Sequence, residues 1–460
     1  MSAASLATAR AGRPQSPPNR PYRFPPFERR RLENGTQLII APVRKLPIAT
    51  LCAIVDAGAV TDPAGREGIA SLTADLLLEG TAKLSGAEIV ERFEQLGAAV
   101  EIETDWDVTV ISVTALSDRL AHAVRLLGDI LSTPSFPARE VDRLKSERRA
   151  ELIALRSEPR GLADVMFSRV LYVGASRYAR PAGGTETSVA AIAREDVRHF
   201  YEQRYRAGAL TVVIAGDVDA DAADRLAREA FAGLPSGAPA PATTSIDAAR
   251  TGPAVHLVSK PDAQQAELRI GHTGLPRKHP EYFGATVMNA VLGGLFSSRI
   301  NLNLRERNGY TYGASSRFDW RRQAGPFLVS TAVQTEVTAK AAAEVIAEID
   351  RIRGAEILAD ELSLATSYMD GLFPIRFETT DAIAAALVNL TTFGLPDDYH
   401  DTYRHHIRAT TVSDVHHAAR NHLHPDALQM LVVGDEALLR GQIESLGFGP
   451  LTVYEPDDLP

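Results

Sequence analysis

The amino-acid sequence predicts an α+β protein of two homologous halves, each a mainly antiparallel sheet packed with helices, together forming one half of a clamshell. Three observations carry that prediction. An acid-headed amphipathic helix leading to an apolar strand closed by Gly-Asp occurs twice at one spacing. The strands and helices upstream of it recur in the same order. A stretch of Pro, Gly and small residues lies between the two copies.

The first copy opens at Asp196-Val197 and leads to the strand Leu210–Gly216, followed by Asp217. The second opens at Asp414-Val415 and leads to residues 428–434, followed by Asp435. In both, the glycine stands 20 residues after the helix acid. An acid in the first turn complements the helix dipole, and an apolar run ended by Gly-Asp reads as a buried strand and its turn. Upstream, Ala121, Val124, Leu127 and Leu131 fall at helical spacing before Ala138-Arg-Glu140-Val141. Ala342, Val345, Ile349 and Ile352 likewise precede Ala359-Asp-Glu361-Leu362. Strands are expected ahead of these helices, over 108–116 and 325–333. Strands and helices that are grouped, not alternating as βαβ, indicate the α+β class.

Residues 233–253 begin Gly-Leu-Pro-Ser-Gly-Ala-Pro-Ala-Pro-Ala, supply no core and read as a linker. The expected organisation is a disordered tail over 1–27, an N-terminal half over 28–232, the linker, and a C-terminal half over 254–460. Two tethered halves are able to close on a segment held in the cleft between them.

At 460 residues the chain exceeds what one hydrophobic core supports, which agrees with two domains. Its 45% hydrophobic and 23% charged residues are those of an ordinary globular protein. The net charge of −9 argues against a nucleic-acid-binding surface and is compatible with an interior that favours basic peptides. Cys52 is the only cysteine, which excludes an internal disulfide and a thiolate metal cluster. No apolar run is long enough to span a bilayer, and no secretory apolar core stands near the N-terminus. Arg10, Arg13, Arg20 and Arg23 lie among Ala, Ser and Pro without an acid, the composition of a disordered tail or, alternatively, a transit peptide. The cytoplasm is the expected compartment, with the periplasm as the alternative.

The run from Ala57-Gly58 through Asp62-Pro63, Gly65, Gly68-Ile-Ala70-Ser71-Leu-Thr-Ala74-Asp75 to Gly80-Thr81 resembles the strand, loop and helix carrying His-x-x-Glu-His in the inverzincin peptidases. That family includes pitrilysin, insulinase and the mitochondrial processing peptidase. There, two His one helical turn apart bind zinc and the Glu is the general base. Laid on the flanking glycines, the three motif positions are Ser71, Ala74 and Asp75, none of them His or Glu. The resemblance places a third ligand, a Glu, before a Leu-Tyr or Leu-Phe pair. Using Leu171-Tyr172 as the landmark, that position is Arg169, whose guanidinium cannot become a ligand.

A second matched run is Gly293-Gly294-Leu-Phe-Ser297-Ser298-Arg299, continuing through Leu304-Arg305-Glu306-Arg307 and Gly309 to Tyr312. The resemblance gives Arg305 and Tyr312 the roles of holding substrate and stabilising the oxyanion across the chamber from the metal. Taken without the matched segment, Arg305 reads as a helix-surface ion-pair residue, with Glu306 or Asp319, and Tyr312 as a half-buried strand residue. Gly293 and Gly294 form either a flexible loop at the chamber entrance or a helix C-cap. His199-Phe-Tyr-Glu202-Gln203 is a near miss of a zinc motif and is read as a surface helix. The histidines at 405, 406, 416, 417, 422 and 424 are read as a solvated surface.

The resemblance thus implies a metal-free subunit of a heterodimeric zinc metallopeptidase. It would bind peptide substrates and pair with a homologous zinc-bearing subunit. No zinc is expected in this chain. The alternatives are a non-catalytic structural or assembly protein of the same fold, and a homodimeric peptide-binding protein.

Overall fold

The computed structural model describes residues 21–174, 176–242 and 251–455. Two six-stranded sheets are each packed with helices. The first contains β1 (Glu28–Arg31), β2 (Gln37–Pro42), β3 (Ile48–Val55), β4 (Ala99–Thr104), β5 (Thr109–Leu116) and β6 (Leu210–Gly216), in the order β1-β2-β6-β3-β5-β4. The second contains β7 (Ala254–Ser259), β8 (Gln265–Thr273), β9 (Ala314–Phe318), β10 (Pro326–Gln334), β11 (Gln429–Gly434) and β12 (Leu451–Tyr454), in the order β12-β7-β11-β8-β10-β9. Position for position, the two orders are the same. They differ in the strand at one edge: β1 precedes its half in sequence and pairs antiparallel, whereas β12 follows its half and pairs parallel. β2·β6, β7·β11 and β7·β12 are parallel and every other pair is antiparallel.

Helices of the first half are α1 (Ile69–Leu76), α2 (Gly86–Gln95), α3 (Leu120–Ser132), α4 (Ala138–Leu155), α5 (Pro159–Leu171), α6 (Glu186–Ala191), α7 (Arg194–Arg204) and α8 (Ala220–Ala230). Those of the second are α9 (Tyr282–Asn289), α10 (Arg299–Asn301), α11 (Thr338–Gly354), α12 (Ala359–Leu372), α13 (Thr380–Thr392), α14 (Tyr399–Ala409), α15 (Val412–His422) and α16 (Glu436–Ser445). The acids of the repeat cap their helices. Asp196 accepts from the Ala193 amide ahead of α7 at 2.8 Å, and Asp414 from the Thr411 amide ahead of α15 at 2.8 Å.

Strand composition follows position in the sheet. The central strands β6 and β11 are buried along their whole length, whereas β4, at an open edge, alternates exposed and half-buried residues. A strand buried on both faces needs two covers. In the first sheet Leu38, Ile40, Leu51, Ala53, Val212 and Ile214 face the half's own helices. Their neighbours Ile39, Ala41, Cys52, Ile54, Val213 and Ala215 pack against Ile383, Ala384, Ala386 and Leu387 of α13, a helix of the other half. The second sheet receives the reciprocal gift: Val258, Leu328, Leu431 and Val433 pack against Leu162, Met166, Phe167 and Val170 of α5. The halves therefore interlock.

The turn between β9 and β10 adds to this lock. Arg321 lies 4.4 Å above the rings of both Trp106 and Tyr178, the Arg322 amide donates to Asp107 at 2.9 Å, and Tyr172 donates to the Ala324 carbonyl at 3.0 Å. This corrects the expectation of two tethered halves closing on one another, because each sheet is completed by a helix from the opposite half. Of the expected tail, residues 1–20 lie outside the described residues. Residues 21–27 belong to the folded body: Phe24 is buried against α13, stacks on His400, and donates its amide to Asp401 at 3.1 Å. The region expected as a linker is described at 233–242 and 251–253 only.

Candidate functional site

Helix α1 carries the three degenerate motif positions. Its start is fixed by Gly68, whose φ of +95° suits a residue without a side chain and whose absent Cβ would lie 2.6 Å from the Gly183 carbonyl oxygen. The fully buried carboxylate of Asp62 accepts from the amides of Gly68 at 2.7 Å and Ala70 at 3.0 Å, and from Arg177 at 2.7 Å. Arg177, also buried, donates further to the carbonyls of Arg180, Pro181 and Ala182. Burial pushes the Asp62 carboxyl up to about 6 even though Arg177 and the two amides oppose the shift.

Ser71 and Asp75 line a small cavity with Glu147, Arg148 and Glu151 of α4 and with Gly183. Ala74 is fully buried, so the position of the general base holds a methyl group. Asp75 keeps solvent access through an adjoining cleft lined by Glu79, Glu91 and Glu94. Its carboxyl is nonetheless pushed up to about 6, first by desolvation and then by Glu151 and Glu79, with Arg148 pulling it down. A zinc ion needs three or four donors at about 2 Å. One serine hydroxyl and one carboxylate beside a guanidinium do not fit it. Among the described residues no group of three or more His, Cys, Asp or Glu is arranged to hold a metal ion.

Arg169 is not part of this cavity. It lies on α5, packed against the second sheet, with its guanidinium 5.9 Å from the Tyr454 ring. The helix facing α1 is α4, and the residues sequence reasoning missed are Glu147, Arg148 and Glu151 on it. The Leu-Tyr landmark misled because α5 crosses to the other half, where Tyr172 joins the lock between halves. The signal in α4 is weak: its run of Arg and Glu reads as a solvated helix.

The second matched run builds a different surface. The last turns of α9 widen into a π-helix over Ala290–Gly294, and α10 continues into another over Leu302–Arg307. Such wide turns are costly and concentrate at functional sites. Gly293 and Gly294 therefore end a helix, and the loop alternative is set aside. A Cβ on Gly293 would sit 2.6 Å from the Ser316 amide nitrogen, so β9 approaches too closely for any side chain. Asn301 ties the element together, donating to the Phe296 carbonyl at 2.6 Å and accepting from the Ala314 amide at 3.0 Å. Arg299 holds Glu361 through two bonds, at 2.6 and 2.7 Å.

On this frame Tyr312 is 94% exposed, displayed on a turn that Thr311 pins to the Ala332 carbonyl at 2.7 Å. Tyr312 and the 71% exposed Phe296 line a cavity of about 640 Å³ together with Arg269, Arg317 and Glu267. Arg305 stacks on Phe296, 4.5 Å from the ring centre, with one nitrogen buried without a hydrogen bond and 3.5 Å from Glu306. The fork thus stacks on an exposed aromatic side chain that lines the same cavity as the phenol. Tyr312 is far more exposed than a half-buried strand residue.

The remaining candidates have other partners. His199 and Gln203 hydrogen-bond each other at 2.7 Å on the surface of α7. The expected solvated histidines include one exception: His422 is buried and paired with Glu281.

Residues 43–175 match the family described as Insulinase (Peptidase family M16), and residues 191–369 that described as Peptidase M16 inactive domain. The chain is 24% identical over 375 residues to the "Non-peptidase homolog YmxG" of Helicobacter pylori, covering 80% of this chain and 85% of that protein. It is 27% identical over 280 residues to the "Probable mitochondrial-processing peptidase subunit beta" of Schizosaccharomyces pombe, covering 59% of each. Its fold matches the crystal structure of a peptidase M16 inactive domain from Pseudomonas fluorescens with a TM-score of 0.84 and 26% identity, over 89% of this chain and 98% of that one.

Proposed function

The chain belongs to the insulinase family of peptidases, and from that membership we propose that it is the metal-free subunit of a two-chain peptidase, gripping peptides for a partner that carries the zinc. One observation carries the reading: Tyr312 and Phe296 line a large cavity and Arg305 stacks on Phe296, while the motif positions on α1 hold Ser71, Ala74 and Asp75.

In this reading the partner supplies zinc and its activated water, and this chain supplies position and charge complementarity. The Tyr312 hydroxyl donates to the oxygen that becomes negative as the amide is attacked, an interaction worth most where water is excluded. Arg305, with its planar fork, holds a backbone carbonyl or carboxylate of the peptide. The "non-peptidase" designation of the Helicobacter pylori relative favours a second reading, a structural protein of the same fold without a catalytic partner.

The deciding experiment mixes the chain with a homologue that carries His-x-x-Glu-His. Expected are a stable complex by size-exclusion chromatography and hydrolysis of an unstructured peptide that a chelator abolishes. In that complex Tyr312→Phe should lower turnover by about 10² without loosening the assembly. Arg305→Ala should weaken peptide capture as well as turnover. Wild-type rates for both variants in an intact complex would favour the structural reading.

A further inference from the structure

The cavity between α1 and α4 is small, about 80 Å³, and is lined with carboxylates, yet no metal-binding set surrounds it. Arg148 fills that gap in charge. Its Nη1 donates to Glu151 at 2.9 Å and its Nε to the Gly183 carbonyl at 3.1 Å. Asp75, on the facing helix, feels the same guanidinium. The backbone is shaped around it: a Cβ on Gly183 would lie 1.5 Å from Arg148 Nη2, an impossible overlap, so the residue at 183 has no side chain where the guanidinium sits. Glu67 and Gly184 continue the cradle, since a Cβ on Gly184 would lie 2.2 Å from the Glu67 carbonyl oxygen.

We propose that the Arg148 guanidinium is the resident cation of this site, standing where the fold otherwise has room for a metal ion between α1 and α4. Its positive charge is permanent at every accessible pH. It offsets Asp75 and Glu151, fastens α4 to the 183–184 turn, and repels any divalent ion approaching the same carboxylates. Loss of the metal in this chain is therefore more than the absence of two histidines: the site has been refilled from within. The proposal concerns this chain's own charge arrangement and stands whether or not a peptidase partner exists.

The test rebuilds the ligands and then removes the guanidinium. Ser71→His with Asp75→His places two imidazoles one helical turn apart, with Glu151 as the third donor. Zinc affinity is read by competition with a chromophoric chelator, for this double variant and for the same variant carrying Arg148→Met. Where Met at 148 does not give a folded protein by circular dichroism, Arg148→Gln removes the charge and keeps a shorter, polar side chain with an amide donor. The expected result is zinc binding at least 100-fold tighter once the guanidinium is gone. Equal affinity with and without Arg148 would overturn the proposal, and so would failure of the folded triple variant to bind zinc, since the cavity would then not be a cation position.

Discussion

Replacing Asp62 with alanine should cost the fold about 3–5 kcal/mol, the range expected when one member of a buried ion pair is removed and its partner is left charged. The structure sets that size. Asp62 is fully buried and Arg177 is 2% exposed, so no water replaces the lost carboxylate. The amides of Gly68 and Ala70 at the start of α1 lose their acceptor in the same step. The assay is urea denaturation at pH 7, followed by intrinsic fluorescence. A loss under about 1 kcal/mol would refute the reasoning and show that the three carbonyls around Arg177 suffice for its charge. Asp62→Asn adds a check on sign. With the native carboxyl pushed up to about 6, the folded protein holds the proton more tightly than the unfolded chain. Wild-type stability therefore falls as pH rises from about 4 to about 6 and is level above that. Asparagine does not titrate, so Asp62→Asn compares less favourably with wild type near pH 4 than at pH 7.

Elemental analysis of the purified wild-type chain after dialysis should find no stoichiometric zinc, and one tightly held zinc per chain would contradict the reading of α1. A protease site introduced between residues 237 and 251 should allow the chain to be cut while both halves continue to elute together, because α5 and α13 each remain seated on the opposite sheet. Separation of the halves under native conditions would refute the interlock. Gly293→Ala should lower stability by about 1–3 kcal/mol through its collision with Ser316, measured as a fall in the urea midpoint. An unchanged midpoint would mean that β9 yields freely.

The duplication was legible because it rests on local chemistry: Asp196 and Asp414 cap equivalent helices, and the apolar runs after them become equivalent central strands. The exchange of α5 and α13 was not. Spacing reveals that Leu162, Met166 and Val170 share a helix face, but says nothing of which sheet covers it. The same ignorance put Arg169 at the degenerate metal site, while the residues that meet Ser71 and Asp75 sat hidden in the charge-rich α4. Phe24 was lost within a Pro- and Arg-rich context that masked an anchoring aromatic. His422 reads as polar on a helix, and its partners there, Glu281 and the His279 ring, lie far away in sequence.

The reciprocal placement of α5 and α13 also bears on how damage spreads through the molecule. A sheet whose second face is covered by the other half cannot melt alone, since its loss exposes Val213 and Ala215 on one side and strands Ile383 and Leu387 without a floor on the other. Heating should therefore produce one transition for the whole body, not one per sheet. A weakness at the α1 end of the first sheet then shortens the lifetime of the distant Arg305–Tyr312 surface without touching a residue of it.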